Sequence, residues 1–235
     1  MAHGPAHELL RPAKIANAAR RRVFERSLAR APIESRMPMV HLGTGYGGWW
    51  IPADTVTADW CCYSVGTGAD VSFDVELLQR YGARVRAFDP YPRFGEMALE
   101  AAGHDPRYSF HPYAITAGDG PIELFGRQDE EAGSVSAVNL YGTRQAFVRS
   151  GRSLPSLMHE FGDNTVELLK LDVEGSEYEV LPTLNLDTMG TLVLCVELHH
   201  NESAGRARAL LDDLRIRGFE IAARKDPTSF TLVRS

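Results

Sequence analysis

The sequence predicts an α/β protein in which helices cover both faces of a mostly parallel sheet. From residue 61 onward, apolar runs of strand length alternate with segments whose apolar residues recur at helical spacing, which is typical of a parallel sheet with crossover helices. The first apolar run, 61–65, ends in glycines at positions 66 and 68. A glycine turn at the carboxyl edge of such a sheet is where α/β proteins hold nucleotide-like cofactors. Two short strands close the chain as a hairpin, which adds an antiparallel strand.

Length and composition favour one globular domain over residues 1–235. The 44% apolar and 24% charged fractions are ordinary for a soluble protein. The net charge of −6 disfavours a general nucleic-acid binder, whose footprint would be basic. No run approaches the ~18 apolar residues of a membrane span, and the start lacks the apolar core of a secretory signal. We therefore expect a cytoplasmic protein without a membrane partner, and the oligomeric state stays open, a homodimer included.

The cysteines support the same compartment. Cys61, Cys62 and Cys195 show no metal-ligand spacing, and two of them are adjacent. We predict that they are reduced residues of buried strands.

Residues 1–40 are predicted to form an Arg-rich helical arm or lid. Apolar residues between positions 8 and 31 give a partial helical face, which we expect to be a helix or helix pair broken near Pro12 and ended by Pro32. A solvated arm or a helix that contacts a partner is favoured over a site for an anionic substrate. The basic residues of this segment are Arg11, Lys14, Arg20, Arg21, Arg22, Arg26 and Arg30.

A glycine-rich hairpin is predicted at 41–52. Its glycines alternate with polar and aromatic residues, which excludes a regular helix. Tyr46 and Gly47 are predicted to lie close to the cofactor. Trp49 and Trp50 are candidates for substrate contact, since aromatic rings bring apolar area and a polar handle to such sites. The alternative is that both tryptophans simply pack, and one can be buried while its neighbour is exposed.

The remaining elements follow from apolar spacing and turn residues. The predicted strands are 61–65, 83–88, 108–115, 122–125, 166–172, 191–198, 220–223 and 230–233. The predicted helices are 73–81, 92–102, 153–161, 174–181 and a segment from 207 to Gly218. Ser153 suits a helix N-cap, and Gly82 and Gly103 suit helix C-termini. Residues 126–146 are loop-like, either an insertion near the active site or a plain connection.

The turn at 66–68 predicts a cofactor that contains a ribose. A dinucleotide fingerprint needs a third glycine three positions after the second, and Val71 stands there. This disfavours NAD. Asp89 lies 23 positions after Gly66, a spacing that suits a carboxylate accepting both hydroxyls of a ribose. NAD and S-adenosylmethionine (SAM) share that ribose, so Asp89 does not choose between them.

Five segments together resemble the FkbM-type family of SAM-dependent methyltransferases. They are YGGWWIP (46–52), YSVGTGADVSFD (63–74), VRAFDP (85–90), LKLDVEGSE (169–177) and VELH (196–199). The resemblance covers roughly residues 40–200, and the KLDVEG block is its most specific piece. It implies a Rossmann-like class I methyltransferase fold, with a seven-stranded mostly parallel sheet and an antiparallel last strand. Many relatives methylate hydroxyl groups of sugars or natural products.

The resemblance also implies which residues bind the cofactor. The turn lies under the methionine part of SAM, Asp89 binds the ribose, and Tyr113 and Ala114 border the adenine. Ser64 stands where many methyltransferases place an acid, and Asp70 is a candidate substitute. The full set implied to contact SAM is Tyr46, Gly47, Ser64, Val65, Gly66, Thr67, Gly68, Asp70, Asp89, Pro90, Tyr113, Ala114 and Asp172.

Methyl transfer to an alcohol needs an aligned acceptor oxygen and removal of its proton, by a general base or with the help of a metal. Asp172 and Glu174 alternate along one strand end, and Glu197 and His199 along another. His199 is the first candidate for the base and His200 the second, because the imidazole pKa lies near working pH. Asp172 and Glu174 complete the catalytic set.

The same residues suggest a metal site. Asp172, Glu197 and His199 offer hard oxygen ligands and one imidazole, which suit Mg²⁺ or Mn²⁺. The alternative is an internal ion-pair network in which Lys170 pairs with Asp172 and Glu174. Glu197 is also a candidate substrate contact, beside Trp49 and Trp50.

The function predicted from these observations is a SAM-dependent O-methyltransferase that acts on a hydroxyl of an oligo- or polysaccharide or of a polyhydroxylated natural product, with S-adenosylhomocysteine as the second product. The alternatives are a methyltransferase of nucleic acid or protein and a non-catalytic SAM-binding module. The acidic net charge makes nucleic acid the weaker partner, although the Arg-rich start keeps it open.

Overall fold

Strands and helices alternate along the chain. The structure, a computed structural model, describes residues 10–126, 135–140 and 142–235. The strands are β1 (Met39–Leu42), β2 (Trp49–Pro52), β3 (Cys61–Val65), β4 (Arg84–Phe88), β5 (Tyr108–His111), β6 (Ala114–Ile115), β7 (Gly120–Gly126), β8 (Val135–Ser136), β9 (Ala146–Arg152), β10 (Leu168–Leu171), β11 (Val193–Glu197), β12 (Phe219–Arg224) and β13 (Ser229–Arg234). The helices are α1 (Leu10–Leu28), α2 (Ser72–Glu76), α3 (Arg93–Ala101), α4 (Leu154–Phe161), α5 (Glu177–Val180) and α6 (Ala204–Ile216). A π-helical turn, Leu77–Tyr81, continues α2, and a 3-10 turn, Leu181–Thr183, follows α5.

The largest sheet is mixed and has seven strands in the order β12-β13-β11-β10-β3-β4-β5. The run from β11 to β5 is parallel, whereas β13 is antiparallel to both of its neighbours. The predicted α/β architecture is confirmed. In the register, Lys170 pairs with Ser64 and with Cys195, so the carboxyl ends of three central strands meet at one edge.

The core lies on both faces of this sheet, which explains why its strands are predominantly apolar. One buried cluster lies against α4, α5 and α6 and includes Phe24 and Leu28 of α1. The other lies on the opposite face and includes Trp49 of the hairpin and Phe73 of α2. The cysteines are buried and unpaired, as predicted. Within the described residues we find no helix with the length and apolarity needed to cross a bilayer.

Most predicted elements are confirmed with bounds shifted by a few residues. The hairpin β1–β2 is antiparallel, and the closing hairpin is β12–β13. Gly82 ends the π-helical turn in a left-handed conformation, and the Ser153 side chain caps α4. The helix predicted from 174 begins only at Glu177, because Glu174 and Gly175 have φ of +51° and +111°, which no α-helix contains.

Two predictions fail at the amino terminus and in the middle of the chain. Over its described residues, Leu10–Leu28, helix α1 is continuous through Pro12, so the break predicted there is wrong. The predicted strand 108–115 is two strands, β5 in the large sheet and β6 in another.

A second sheet, in the order β6-β9-β7-β8, lies in and beside the region predicted as loop, which contributes β8 and one end each of β7 and β9. Residues 127–134 and 141 of that region lie outside the described residues. Strand β9 escaped prediction because most of its side chains are exposed or half-buried, so it carries no apolar run. Within the described part of this region, Val135 and Ala137 line the cavity described next.

Candidate active site

A cavity of about 360 Å³ opens at the carboxyl edge of the large sheet. Its volume is in the range of small-molecule sites. Most of the site residues predicted from sequence line it: Tyr46, Gly47, Trp49, Val65, Gly66, Thr67, Gly68, Asp70, Asp89, Pro90, Tyr113, Ala114, Asp172, Glu174, Glu197 and His199. The sheet thus brings together side chains that are up to 153 positions apart, from Tyr46 to His199.

Three predicted residues lie elsewhere among the described part of the chain. Ser64 is buried in β3 beneath the turn. Trp50 alternates away from the cavity, and its ring lies edge-on to that of His41. His200 points toward α1, where burial lowers its pKa and Arg21 lowers it further. The predictions of Ser64 as a cofactor contact, Trp50 as a substrate contact and His200 as a base therefore do not agree with this cavity.

The glycine turn after β3 is held from below. Gly66 has φ of +73°, and a Cβ there would lie 1.8 Å from the Asp172 carbonyl oxygen, so a side chain is excluded. Lys170 Nζ donates to the carbonyl oxygens of Val65 at 3.2 Å and Gly66 at 2.8 Å. This contact differs from the predicted ion-pair network: the lysine fixes the backbone of the turn.

Asp89 connects the end of β4 to the turn. Its two carboxylate oxygens accept from the backbone N–H of Gly68 at 3.0 Å and of Tyr91 at 2.9 Å. Burial raises the pKa of Asp89 to about 6, although these hydrogen bonds oppose the shift. A carboxylate has about four acceptor positions, so capacity remains for a ligand.

The tip of the β1–β2 hairpin is clasped over the cavity. Asp70 accepts from the Gly47 N–H at 3.1 Å and from the Thr44 hydroxyl. Burial opposes ionisation of Asp70, but hydrogen bonds from Ser72 and Thr44 outweigh it and lower the pKa. On the other side, Lys225 Nζ donates to the Tyr46 carbonyl oxygen. Asp70, predicted to contact the cofactor, thus also holds the hairpin in place.

The aromatic residues of the hairpin differ in exposure, as the sequence analysis considered. Trp49 is 2% exposed and packs in the core, with Lys225 Nζ 5.4 Å from its ring centroid. Tyr46 is 80% exposed at the cavity. Tyr46 is therefore the hairpin ring most available to a ligand.

An acid–imidazole cluster lines the cavity at the ends of β10 and β11. His199 Nε2 lies 3.2 Å from Glu174 Oε2 and 3.9 Å from both Asp172 Oδ1 and Glu197 Oε1. The left-handed conformation of Glu174, φ +51°, turns the loop after β10 toward the end of β11. The two strand ends converge as predicted.

Glu177 orients this cluster and escaped the sequence analysis. Its side chain is fully buried, and it accepts from His199 Nδ1 at 2.8 Å and from the backbone N–H groups of Val173 and Gly175. The Tyr178 hydroxyl donates to the His199 carbonyl oxygen at 2.9 Å. An acid in the first turn of α5 was the available signal, since helix N-termini favour negative charge.

Burial and mutual repulsion shift the ionisation of the cluster. Burial raises the pKa of Asp172 well above its usual range, and the charge of Glu197 raises it further. Burial by itself lowers the pKa of His199, but the charge of Glu177 and a hydrogen bond to Glu174 outweigh it and raise that pKa well above its usual value. A raised pKa disfavours the neutral imidazole that a base requires, which weakens the argument for His199 as the base.

Comparison with known families identifies the family of this chain. The model of the "Methyltransferase FkbM domain" family matches residues 56–221, more than half of the chain. The chain belongs to the FkbM methyltransferase family. The resemblance seen in the sequence is confirmed, and the match extends it to include α6 and the first half of β12 of this FkbM domain.

One curated relative shares a shorter segment with this FkbM domain. The AMB antimetabolite synthetase AmbE of Pseudomonas aeruginosa is 37% identical over 79 residues, which are 32% of this chain and 4% of AmbE. The chain spans so little of that relative that the likeness assigns no activity.

Proposed function

We propose that this protein is a SAM-dependent O-methyltransferase of the class I fold, and that its acceptor is a hydroxyl of a saccharide or polyhydroxylated natural product. The observation that carries the proposal is one cavity, in a member of the FkbM methyltransferase family, that is lined by both the glycine turn and the acid–imidazole cluster. This arrangement supports a cofactor and an acceptor that lie side by side.

The turn fits a SAM molecule. Gly68, with φ of +55°, has open space where a Cβ would stand, and Thr67 Oγ1 is buried without a hydrogen-bond partner among the described residues. Buried polar atoms normally have partners, so Thr67 is suited to a ligand. Asp89 would hold the ribose, and Tyr113 and Ala114 would border the adenine. When bound, SAM supplies a methyl group on a positively charged sulfur, and its loss leaves the neutral thioether S-adenosylhomocysteine.

The acceptor hydroxyl must lose its proton as its oxygen bonds to the methyl carbon. We assign that proton to Glu197, which lines the cavity with a side chain 29% exposed. His199 is less suited, because Nδ1 contacts Glu177 and Nε2 contacts Glu174. The proton therefore moves from the acceptor oxygen to a Glu197 carboxylate oxygen.

The entrance of the cavity favours a ring with hydroxyl groups. The exposed face of Tyr46 can pack against the apolar face of a sugar. Lys225 and Asp226 line the same side and supply polar groups. Trp50, predicted for this role, lies outside the cavity.

The test combines cofactor binding with acceptor screening. Calorimetry is expected to show S-adenosylhomocysteine binding, and radiolabelled SAM is expected to label a member of a panel of oligosaccharides and polyhydroxylated natural products. Glu197→Gln is expected to lower turnover by about 10²–10⁴-fold while S-adenosylhomocysteine binding persists. Cofactor binding without transfer to the carbohydrate panel, but with transfer to nucleic acid or protein, would refute the acceptor class.

A further inference from the structure

We infer that Asp172, Glu174 and His199 form a binding site for a hard divalent cation, Mn²⁺ or Mg²⁺, at the acceptor end of the cavity. The role of this site rests on the proposed function, whereas the evidence that the site exists is geometric alone. It also changes the ligand set expected from sequence, which had Glu197 in the place of Glu174.

The three side chains converge. Each offers one ligand atom, and these atoms all lie within 4.8 Å of one another. Two carboxylate oxygens and one imidazole nitrogen suit Mn²⁺ and Mg²⁺ better than thiophilic metals. All three side chains line the cavity, so the remaining coordination positions face the space where an acceptor would lie.

The imidazole is oriented as a metal ligand. His199 Nδ1 lies 2.8 Å from the buried carboxylate of Glu177, which leaves Nε2 directed at Glu174 and Asp172. Metal-binding histidines commonly contact a carboxylate through their other ring nitrogen, and this partner fixes the ring and tautomer. The contact of Tyr178 with the His199 carbonyl oxygen fixes the backbone as well.

A second observation at the same place points to a missing partner. Asp172 Oδ1 is inaccessible to solvent and has no hydrogen-bond partner within the described parts of the chain. Its distance of 3.9 Å from His199 Nε2 is too long for a hydrogen bond. An unsatisfied buried carboxylate oxygen is costly, and a cation between Asp172, Glu174 and His199 would satisfy it.

The loop explains why Glu174 replaces Glu197. Its left-handed conformation places the Glu174 carboxylate 3.2 Å from His199 Nε2, closer than the 3.9 Å of Glu197. Glu197 then remains beside the cation as the proton acceptor. A cation here would lower the pKa of a bound acceptor hydroxyl, which deepens the proposed mechanism without changing its product.

Direct Mn²⁺ binding tests the site without an acceptor. The full chain, treated with EDTA and saturated with S-adenosylhomocysteine, is titrated with Mn²⁺ while the free ion is followed by electron paramagnetic resonance. We expect about one Mn²⁺ per chain, competed by Mg²⁺. His199→Ala and Glu174→Gln are expected to lose this binding, whereas the matched surface variants His159→Ala and Glu202→Gln keep it.

The readouts separate the failure of this site from the failure of the proposed function. Glu174→Gln preserves the shape of the side chain, and thermal melting shows whether this variant is folded. If His199→Ala unfolds, Glu174→Gln therefore still tests the site. A wild-type chain that binds S-adenosylhomocysteine but no Mn²⁺, or a folded Glu174→Gln that binds Mn²⁺ as the wild type does, would overturn the inference. Methyl transfer that persists in EDTA together with absent Mn²⁺ binding would do the same and leave the proposed function intact.

Discussion

Asp89 shows how a single buried carboxylate can link pH to cofactor affinity. It is 5% exposed, and two backbone N–H groups hold it at the end of β4. Its pKa of about 6 is raised by burial. As the pH falls through that value, Asp89 becomes protonated and loses acceptor capacity for ribose hydroxyls.

We therefore expect S-adenosylhomocysteine affinity to be constant above about pH 7 and to fall below about pH 6, by up to about tenfold per pH unit. Calorimetry between pH 5 and 8 measures it. Asp89→Asn, which cannot titrate, serves as the control and is expected to bind weakly with little pH dependence. A wild-type affinity that is unchanged down to pH 5 would show that Asp89 does not contact the ligand as a carboxylate.

Glu177 is the residue on which the geometry of the cluster depends. Its fully buried carboxylate accepts hydrogen bonds from two backbone N–H groups of the loop after β10 and from His199, which follows β11. Glu177→Gln keeps the shape but replaces one acceptor oxygen by a donor. We expect a loss of about 1–3 kcal/mol in the free energy of unfolding, measured by denaturant titration.

The same variant has a second readout. If Glu177 orients His199, Mn²⁺ affinity falls by about 10–100-fold, while S-adenosylhomocysteine affinity, which depends on the turn, stays near that of the wild type. Equal losses of both affinities would indicate a general loosening of the fold.

At the scale of elements, the glycine turn is determined by the strand beneath it. Gly66 and Gly103 both have positive φ, +73° and +65°. Only Gly66 faces a close atom, the Asp172 carbonyl oxygen, whereas Gly103 has open space around a built Cβ. Alanine at Gly103 therefore measures backbone strain alone, whereas alanine at Gly66 measures strain together with a steric clash.

We expect Gly103→Ala to cost about 1–2 kcal/mol of unfolding free energy, the price of a left-handed residue with a side chain. Gly66→Ala is expected to cost more and to weaken S-adenosylhomocysteine binding, because the turn must move away from β10. Denaturant unfolding and calorimetry measure the two effects. Equal destabilisation without a change in binding would mean that the turn relaxes freely.

At the scale of the whole molecule, the amino-terminal arm packs as part of the domain. Phe24 is 3% exposed and Leu28 fully buried, in the same core cluster as Leu211 of α6. The neighbouring Val23 is 66% exposed. This packing supports the proposal that residues 1–235 form one domain.

Phe24→Ala is expected to lower the free energy of unfolding by about 3–5 kcal/mol, and Val23→Ala to change it by less than about 0.5 kcal/mol. Both follow from chemical denaturation with a single transition. A Phe24→Ala effect as small as that of Val23→Ala would show that α1 is a loosely attached arm, one of the alternatives that its arginines suggested.

The order of strands and helices could be predicted because it depends on local patterns. Apolar runs located β3, β4, β10 and β11, and glycines located the ends of α2 and α3. Strand β9 carried no such pattern, since pairing with β7 rather than burial of its own side chains places it.

The sequence by itself determined the α/β class, the family resemblance and the residues that the strand ends bring to one sheet edge, because side-chain spacing and turn chemistry are local properties. Tertiary structure alone decided that His199 contacts Glu177, that Glu174 lies nearer to it than Glu197, and that Trp50 and His200 lie outside the cavity. The physical reason is that these facts depend on the handedness of one loop and on contacts between distant segments. Neither the loop conformation nor the long-range contacts produce a repeating pattern of apolar residues in the sequence.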